Sequence, residues 1–297
     1  MGGYGVGLTV LTKRLPSAGE TILGSGFCAG PGGKGSNQAI GAARLGAHVS
    51  LLTAIGRDRF GQDGLALWQA ENVSVSSIVV VDDAPTMAGF ILVEPDGQNR
   101  IIVAPGALDR VTAADVNSFR EDLHDADVCL VSLEIAPLAA AASVRIAHEY
   151  GTKTILNPAP VVDLPDYVWT QLDYITPNET EAAALAGVDE SAGEEALVKG
   201  LRKLTRATII LTLGERGALV DDGRSRILYP APSIAAVVDT TGAGDAFSAG
   251  FATAIAEGMS LPQATQFANA AGAFSVQRAE VVPSLARRAE LKGCMNE

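Results

Sequence analysis

The sequence predicts an α/β fold: a mostly parallel sheet covered by helices on both faces, with a small β-sheet lid. Three observations predict it. Strand-length apolar runs alternate with helical periodicities through most of the chain, the pattern of a parallel sheet between two helix layers. Two segments, 9–27 and 87–103, break that alternation with short strands and turns and no helix. The 297 residues are 47% hydrophobic and 19% charged, which suits a globular chain with a sizeable core. No repeat, linker or low-complexity tract divides it, so 1–297 reads as one domain.

The elements follow in order. A glycine-rich loop leads into a helix over 36–45, with Ser36 or Asn37 near its cap. Residues 49–55 read as a strand and 60–71 as a helix. A buried strand over 127–133 precedes a helix over 137–150 and a strand over 152–156. Helices over 178–187 and 193–205 precede a strand over 207–213. Two long helices close the pattern, 244–257 and 261–277. The stretch Glu94-Pro-Asp-Gly97 is a strong turn signal inside the second non-helical segment. Paired with the first, that segment would form a small sheet over the main domain, a lid that excludes water from a site beneath it; the competing reading is a pair of ordinary hairpins at a sheet edge.

Charge and composition narrow the function. Lys and Arg number 22 against 34 Asp and Glu, a net charge of −12. An acidic chain argues against nucleic acid or an anionic membrane as partner. A bound phosphate would need local backbone donors and a few cations. Cys28, Cys129 and Cys294 are scattered and odd in number, so neither a disulfide framework nor a metal pair is expected. The first residues lack the positive region of a signal peptide, and no apolar run approaches the ~18 residues of a membrane span. The expectation is a soluble cytoplasmic protein.

The most informative stretch is Asp239-Thr-Thr-Gly-Ala-Gly-Asp245, directly before the apolar helix. A glycine turn at a helix start leaves free N–H groups, here at Ala243, Gly244 and Asp245, aimed at an anion with the helix dipole behind them. A carboxylate in the same place is a general base for phosphoryl transfer to an alcohol. The competing reading is a capped helix after a tight turn. The loop Gly30-Pro-Gly-Gly-Lys-Gly-Ser-Asn37 is not a P-loop, because Gly35 and not Ser or Thr follows Lys34. Its N–H groups and Asn37 suit the hydroxyls of a small polar ligand. In Thr176-Pro-Asn-Glu-Thr-Glu181, Asn178 and Glu181 share a helix face and suit hydrated magnesium and phosphate oxygens, or else a capping box. Thr212-Leu-Gly-Glu-Arg-Gly217 is a strand-to-turn element whose glycines admit a flat or phosphorylated ligand, or an ordinary β-turn. His48, His124 and His148 lack metal-ligand spacing, and Ser132 sits in no nucleophile elbow.

These motifs, in this order, resemble the PfkB family of carbohydrate kinases, and within it the ribokinase branch. The resemblance covers nearly the whole chain and includes Pro16-Ser-Ala-Gly-Glu-Thr21, Gly32-Gly-Lys-Gly-Ser-Asn-Gln-Ala39, Ala43-Arg-Leu-Gly-Ala47, Asn157-Pro-Ala-Pro160 and Asp239-Thr-Thr-Gly-Ala-Gly-Asp-Ala-Phe247. It implies a ribokinase-like three-layer α/β/α sandwich, with a lid from about 8–31 and 86–104 that often makes a homodimer. It implies ATP-dependent transfer of the γ-phosphate to a primary alcohol of a sugar or nucleoside. Carried over by motif, Asp245 is the base and Gly242, Ala243 and Gly244 form the anion hole. Gly33, Lys34, Asn37 and Glu134 match sugar-contacting positions. Asn178, Glu181, Thr212, Gly214, Gly217 and Asn269 match the nucleotide and magnesium (Mg2+) region. A monovalent cation (K+) would take oxygens at Asp239, Thr241, Ser275, Arg278, Glu280 and Ser284, mostly from the backbone.

The chain departs from that pattern at its amino terminus. Where the family usually carries an Asn and an Asp that hold sugar hydroxyls, Gly5 and Gly7 stand here, and the first strand reads as truncated at Met1. This opens the pocket floor to a larger or differently substituted substrate. Tyr4 is there either to stack on one or to pack in the core. Glu280 stands where a glycine is usual. A nucleoside kinase of the same family is the near alternative, and a non-catalytic sugar-binding homologue the distant one. A dinucleotide-binding oxidoreductase is excluded, since no helix follows the glycines at 3–7.

Overall fold

The computed structural model describes residues 1–96 and 98–291; Gly97 of the expected turn and Cys294 lie outside them. The chain opens with β1 (Gly5–Leu11), β2 (Gly26–Gly32) and α1 (Lys34–Arg44). Short strands β3 (Val49–Ser50) and β4 (Ala54–Gly56) precede α2 (Arg59–Ala70), and β5 (Val73–Ser74) and β6 (Val79–Val81) follow it. Next come β7 (Met87–Val93), β8 (Asn99–Ala104), α3 (Ala113–Ser118) and α4 (Arg120–Asp125). The alternating half runs β9 (Val128–Ser132), α5 (Pro137–Tyr150), β10 (Lys153–Asn157), α6 (Asp166–Gln171), β11 (Tyr174–Ile175), α7 (Glu179–Ala186), α8 (Gly193–Leu204) and β12 (Thr208–Thr212). Strands β13 (Ala218–Asp221) and β14 (Arg226–Tyr229) precede α9 (Ala243–Ala256), α10 (Leu261–Ser275), α11 (Val281–Ser284) and α12 (Arg288–Leu291).

The central sheet has the order β14-β13-β12-β11-β10-β9. Strands β9 to β12 are parallel, and β13 and β14 close the edge antiparallel. Neighbouring residues on each strand face opposite helix layers. Val131, Leu156, Ile175 and Ile209 enter the core shared with α5, α7 and α8. Ile155 and Ile210 pack instead with Phe247, Phe251 and Phe267 of α9 and α10. Near-continuous apolar strands follow from this two-sided burial, and the three-layer α/β/α expectation holds.

Two expectations need correction. The strand over 49–55 divides into β3, paired with β5, and β4, paired with β6. Between them Leu52 O accepts only the N–H of Gly2 (3.2 Å), so the ladder is not continuous. Met1 bridges on to β9: its amino group donates to Leu130 O (2.6 Å), and Ser132 N–H donates to Met1 O (3.0 Å). A groove of about 1070 Å³ opens between Val49–Leu51 and Val128–Leu130. Neither Asp245, Asn37 nor Lys34 lines it, so it is not the cleft described below. The second correction concerns α1, which starts at Lys34 and not Ser36. Gly33, at φ +92°, takes the N-cap position, and the Ser36 hydroxyl accepts from Trp68 Nε1 instead (2.8 Å).

The two non-helical segments do pair. β1 runs antiparallel to β2 and parallel to β7, which pairs with β8, giving a four-stranded sheet of order β2-β1-β7-β8. Its outward rows expose Phe27, Phe90 and Ile102.

Candidate active site

The carboxyl ends of β9, β10 and β11, the start of α9 and the start of α1 meet at one cleft. Parallel sheets bind ligands at this edge because successive strand ends and helix N-termini converge there. Gly242, at φ +82°, is the N-cap of α9. A Cβ there would lie 2.5 Å from Val281 Cγ1, so the turn needs glycine on both counts. Ala246 N–H makes the first helical bond, to Gly242 O (2.9 Å). One sequence expectation changes: Ala243 N–H is not free but donates to Thr240 O (3.2 Å), closing the turn. The N–H groups of Gly244 and Asp245 have no hydrogen-bond partner among the described residues.

Asp245 is 5% exposed. Its Oδ2 accepts from Asn37 Nδ2 (2.8 Å) and its Oδ1 from Gln38 Nε2 (3.0 Å). Burial pushes its carboxyl above the ordinary range, while the Lys34 charge and the two amide donors pull it back. Asn37 is itself buried, and its Oδ1 has no partner. A buried acceptor left open in this way faces a ligand or costs stability.

Glu134 follows β9 and accepts from Lys34 N–H (2.6 Å). Burial pushes its carboxyl up to about 7, helped by the Asp245 charge and opposed by Lys34. The backbone at Gly2–Gly3 packs against this pair. A Cβ on Gly3 would lie 2.6 Å from Glu134 Oε2, and one on Gly33 would lie 2.6 Å from Gly3 O. Close approach of two glycine segments thus sets the floor of the cleft. Gly5 faces Met87, whose O would lie 2.5 Å from an added Cβ, whereas at Gly7 the nearest atom is Ile91 Cδ1 at 3.4 Å. Tyr4 packs: its ring is 1% exposed, meets Trp68 edge-on at 4.7 Å, and its hydroxyl donates to Phe60 O (2.9 Å).

Asn178 and Glu181 form a reciprocal capping box at α7. Glu181 N–H donates to Asn178 Oδ1 (2.8 Å), and Asn178 N–H donates to Glu181 Oε2 (2.9 Å). The capping reading therefore holds. Burial raises the Glu181 carboxyl, opposed by the Asn178 N–H and the Lys34 charge and helped by the Asp245 charge. Thr212 joins this corner by donating its N–H to Pro177 O (2.9 Å). Gly214 (φ +59°) has open space around it. Gly217 (φ +95°) is filled by β14, with Tyr229 O at 2.2 Å from an added Cβ. Asn269 holds the chain leaving β14, donating to Tyr229 O (2.8 Å). These two hold the chain where it leaves β14.

A second oxygen cluster lies behind the α9 turn. Burial works against the Asp239 carboxylate, but the backbone and side chain of Thr241 and the backbone N–H of Glu280 outweigh it and hold the group below its ordinary value. The carbonyls of Asp239, Thr241, Arg278 and Glu280 accept no hydrogen bond among the described residues. Ser275 O accepts from Arg278 N–H (3.3 Å), and the Ser284 hydroxyl donates to Val281 O (2.8 Å). Glu280 has φ +65° and ψ 149°, a region other residues leave to glycine.

Sequence reasoning missed Gln38, and it quoted Asn157 without a role. Gln38 Nε2 also donates to Asn157 Oδ1 (3.0 Å), and Asn157 Nδ2 to Thr176 O (3.1 Å). The only available signal was their presence in the glycine loop and in Asn157-Pro-Ala-Pro160.

Comparison with known proteins agrees with this geometry. The family model described as pfkB family carbohydrate kinase matches residues 6–287. The ribokinase of Schizosaccharomyces pombe is 34% identical, over 100% of this chain and 96% of that protein. The ribokinase of Haemophilus influenzae is 36% identical, over 92% and 89%. The structure of Arabidopsis thaliana ribokinase complexed with ribose and ATP superposes with a TM-score of 0.92 at 28% identity, covering 100% of this chain and 97% of that one.

Proposed function

The chain belongs to the pfkB family of carbohydrate kinases, and we propose that Asp245 acts as its general base in moving the γ-phosphate of ATP to a primary hydroxyl of a small sugar. It is an ATP-dependent sugar kinase of the ribokinase branch. The observation that carries the residue roles is the first turn of α9. There a buried carboxylate, held by two amides, stands beside two backbone N–H groups that no described residue occupies.

Asp245 takes the hydroxyl proton as the sugar oxygen attacks the γ-phosphorus. The bond to the bridging oxygen of ADP breaks, and ADP leaves. Charge on the transferring group falls on the Gly244 and Asp245 N–H groups, preorganised by the turn at Gly242 and Ala243. On the sugar side, Asn37 Oδ1 accepts a hydroxyl, and Gly33, Lys34 and Glu134 line the remainder. At the other end Asn178, Glu181, Thr212 and Gly214 face the nucleotide, with Gly217 and Asn269 shaping the loops behind them.

Two ions fit the donors present. Among the described residues no three acidic, His or Cys side chains cluster as a cage. Magnesium would therefore be held by Glu181, Asn178, water and phosphate oxygens, as that ion prefers, and it would neutralise the phosphate charge. The open carbonyls at Asp239, Thr241, Arg278 and Glu280, with the Asp239 carboxylate and the Ser275 and Ser284 oxygens, suit potassium, which would brace the α9 turn. The sheet β2-β1-β7-β8 serves as lid. Its exposed Phe27, Phe90 and Ile102 suit a second copy of the chain. No described helix is long and apolar enough to cross a membrane.

The sugar is a pentose of the ribose class. A nucleoside is the second reading, favoured by the absence of hydrogen-bonding side chains at Gly5 and Gly7. The test is incubation with ATP, magnesium and either potassium or sodium, against pentoses, hexoses and nucleosides, with products read by mass. We expect a pentose phosphate, formed faster with potassium. A nucleoside monophosphate as the main product would replace the substrate. No product at all, with ATP bound, would overturn the residue roles.

A further inference from the structure

The family motifs account for Asn37 and Asp245 but not for the buried amides around them. We propose that Gln38 and Asn157 are positioning residues, forming a relay that fixes the Asp245 carboxylate and ties it to the Thr176–Asn178 corner at the nucleotide end. The inference rests on Asp245 being the base.

The relay can be counted donor by donor. A primary amide has two N–H bonds. Those of Gln38 go one to Asp245 Oδ1 and one to Asn157 Oδ1, both at 3.0 Å. Asn157 donates in turn to Thr176 O (3.1 Å), and Thr176 N–H donates back to Leu156 O (2.9 Å). Asn37 supplies Oδ2. Each carboxylate oxygen thus receives one amide donor and keeps a lone pair for a proton.

The orientations are not free. Turning the Gln38 amide over would set its oxygen against the Asp245 carboxylate and the Asn157 carbonyl, three acceptors facing one another. Gln38, Asn157, Asp245 and Thr176 are all 6% exposed or less, so such a mismatch is costly, even though Gln38 also borders the groove between β3 and β9. The relay also crosses layers. Gln38 lies in the second turn of α1, Asn157 ends β10, and Thr176 leads from β11 into the capping box of α7. The base is therefore referenced to the sheet edge that carries the nucleotide end, and not only to its own helix.

The charged groups facing Asp245 are Lys34 on α1, Glu134 after β9 and Glu181 on α7. The Lys34 charge and the two amides favour the ionised form of Asp245. Removing one amide raises the pH at which the base gains its proton, and activity on the acid side falls accordingly.

The experiment compares Gln38→Met, Gln38→Glu, Asn157→Leu, the Gln38→Met/Asn157→Leu double variant and Asp245→Asn in one assay. Gln38→Met should lower kcat about tenfold to a hundredfold. The sugar KM should stay within about threefold, since no substrate contact is lost. The acid limb of the kcat profile should move to higher pH, and further in Gln38→Glu, which adds a like charge. The double variant should be no slower than Gln38→Met alone, because one relay is broken once. Gln38→Glu preserves shape, and nucleotide affinity and melting report folding separately. With Asp245→Asn inactive, a kcat within twofold and an unmoved acid limb in both folded Gln38 variants overturn the relay. Additive losses in the double variant overturn it too. Normal turnover in Asp245→Asn overturns the base assignment beneath it.

Discussion

The two walls of the cleft are built on opposite principles. The phosphate wall is made of a glycine turn, a helix N-terminus and the buried amides of Asn37 and Gln38, which donate to Asp245. On the proposed reading the sugar wall faces Asn37, Lys34 and Glu134 with the chain leading through β1, where Gly2, Gly3, Gly5 and Gly7 offer no side chain. The first wall holds fixed dipoles where charge develops, which any phosphoryl transfer needs whatever the acceptor. The second is where a substrate is told from its competitors, and it has lost side chains that could pair with hydroxyls. On the proposed roles, reaction type would be set by the wall that keeps its polar groups, and acceptor choice by the wall with glycines at 5 and 7.

The strongest way to break that division is Asp245→Asn. It keeps shape and burial but removes the proton acceptor. We expect kcat to fall by roughly 10²–10⁴, with pentose affinity much less affected, measured by steady-state kinetics and product binding. A fall in affinity with unchanged kcat would move Asp245 to the sugar wall.

The sugar wall is probed by giving it a side chain. Gly7→Asp has room for its Cβ, with the nearest atom, Ile91 Cδ1, at 3.4 Å. A charge-assisted bond to a hydroxyl is worth about 1.5–3 kcal/mol. Gly7→Asp should therefore raise kcat/KM for ribose by about ten- to a hundredfold and lower it for bulkier acceptors. Gly5→Asn should give no such gain, because its Cβ would lie 2.5 Å from Met87 O, and should cost about 1–3 kcal/mol of stability instead. If Gly7→Asp leaves the acceptor ranking unchanged, selectivity does not reside in this wall.

The same division explains what the sequence disclosed. The turn before α9, the capping box at Asn178 and most helix limits depend on residues within a few positions, so they could be read directly. Gln38 could not. Its partners are 207 and 119 positions away, and an amide on an apolar helix face has no local signature. Likewise 49–55 has the composition of one strand, but a ladder depends on its neighbours, and its middle passes from Ser74 at Leu51 to Val79 at Thr53, with Gly2 bonding Leu52 between them. Tyr4 was ambiguous until Trp68 was seen to cover it.

Glu134 stands between the walls, touching Lys34 N–H on one side and packed by Gly3 on the other. Its carboxyl is held up to about 7, chiefly by burial. A carboxyl raised on folding favours the folded state at low pH, and this contribution is lost as pH rises from the ordinary Glu range through about 7. Glu134→Gln cannot ionise and can still accept from Lys34. It should melt above the parent at pH 8 by about 1–2 kcal/mol, with the gap closing near pH 5. Its sugar KM should rise. An equal gap at both pH values would show that Glu134 is not ionising in this range.

The smallest expected effect lies behind the phosphate wall, at Glu280. Its φ of +65° and ψ of 149° cost a residue with a Cβ about 1–3 kcal/mol. Glycine would relieve that but would gain about 0.5–1 kcal/mol of freedom in the unfolded chain. The Glu280 N–H bond to Asp239 Oδ2 (3.3 Å) does not depend on the side chain. Glu280→Gly should therefore stabilise by about 1 kcal/mol, a rise of roughly 2–4 °C in Tm. If the loop braces the α9 turn through a bound potassium ion, the same variant should keep or sharpen the potassium dependence of kcat. A lower Tm would mean that the glutamate side chain, and not the backbone, sets this turn. The phosphate wall would then lean on a contact that the exposed position of Glu280 gives no sign of.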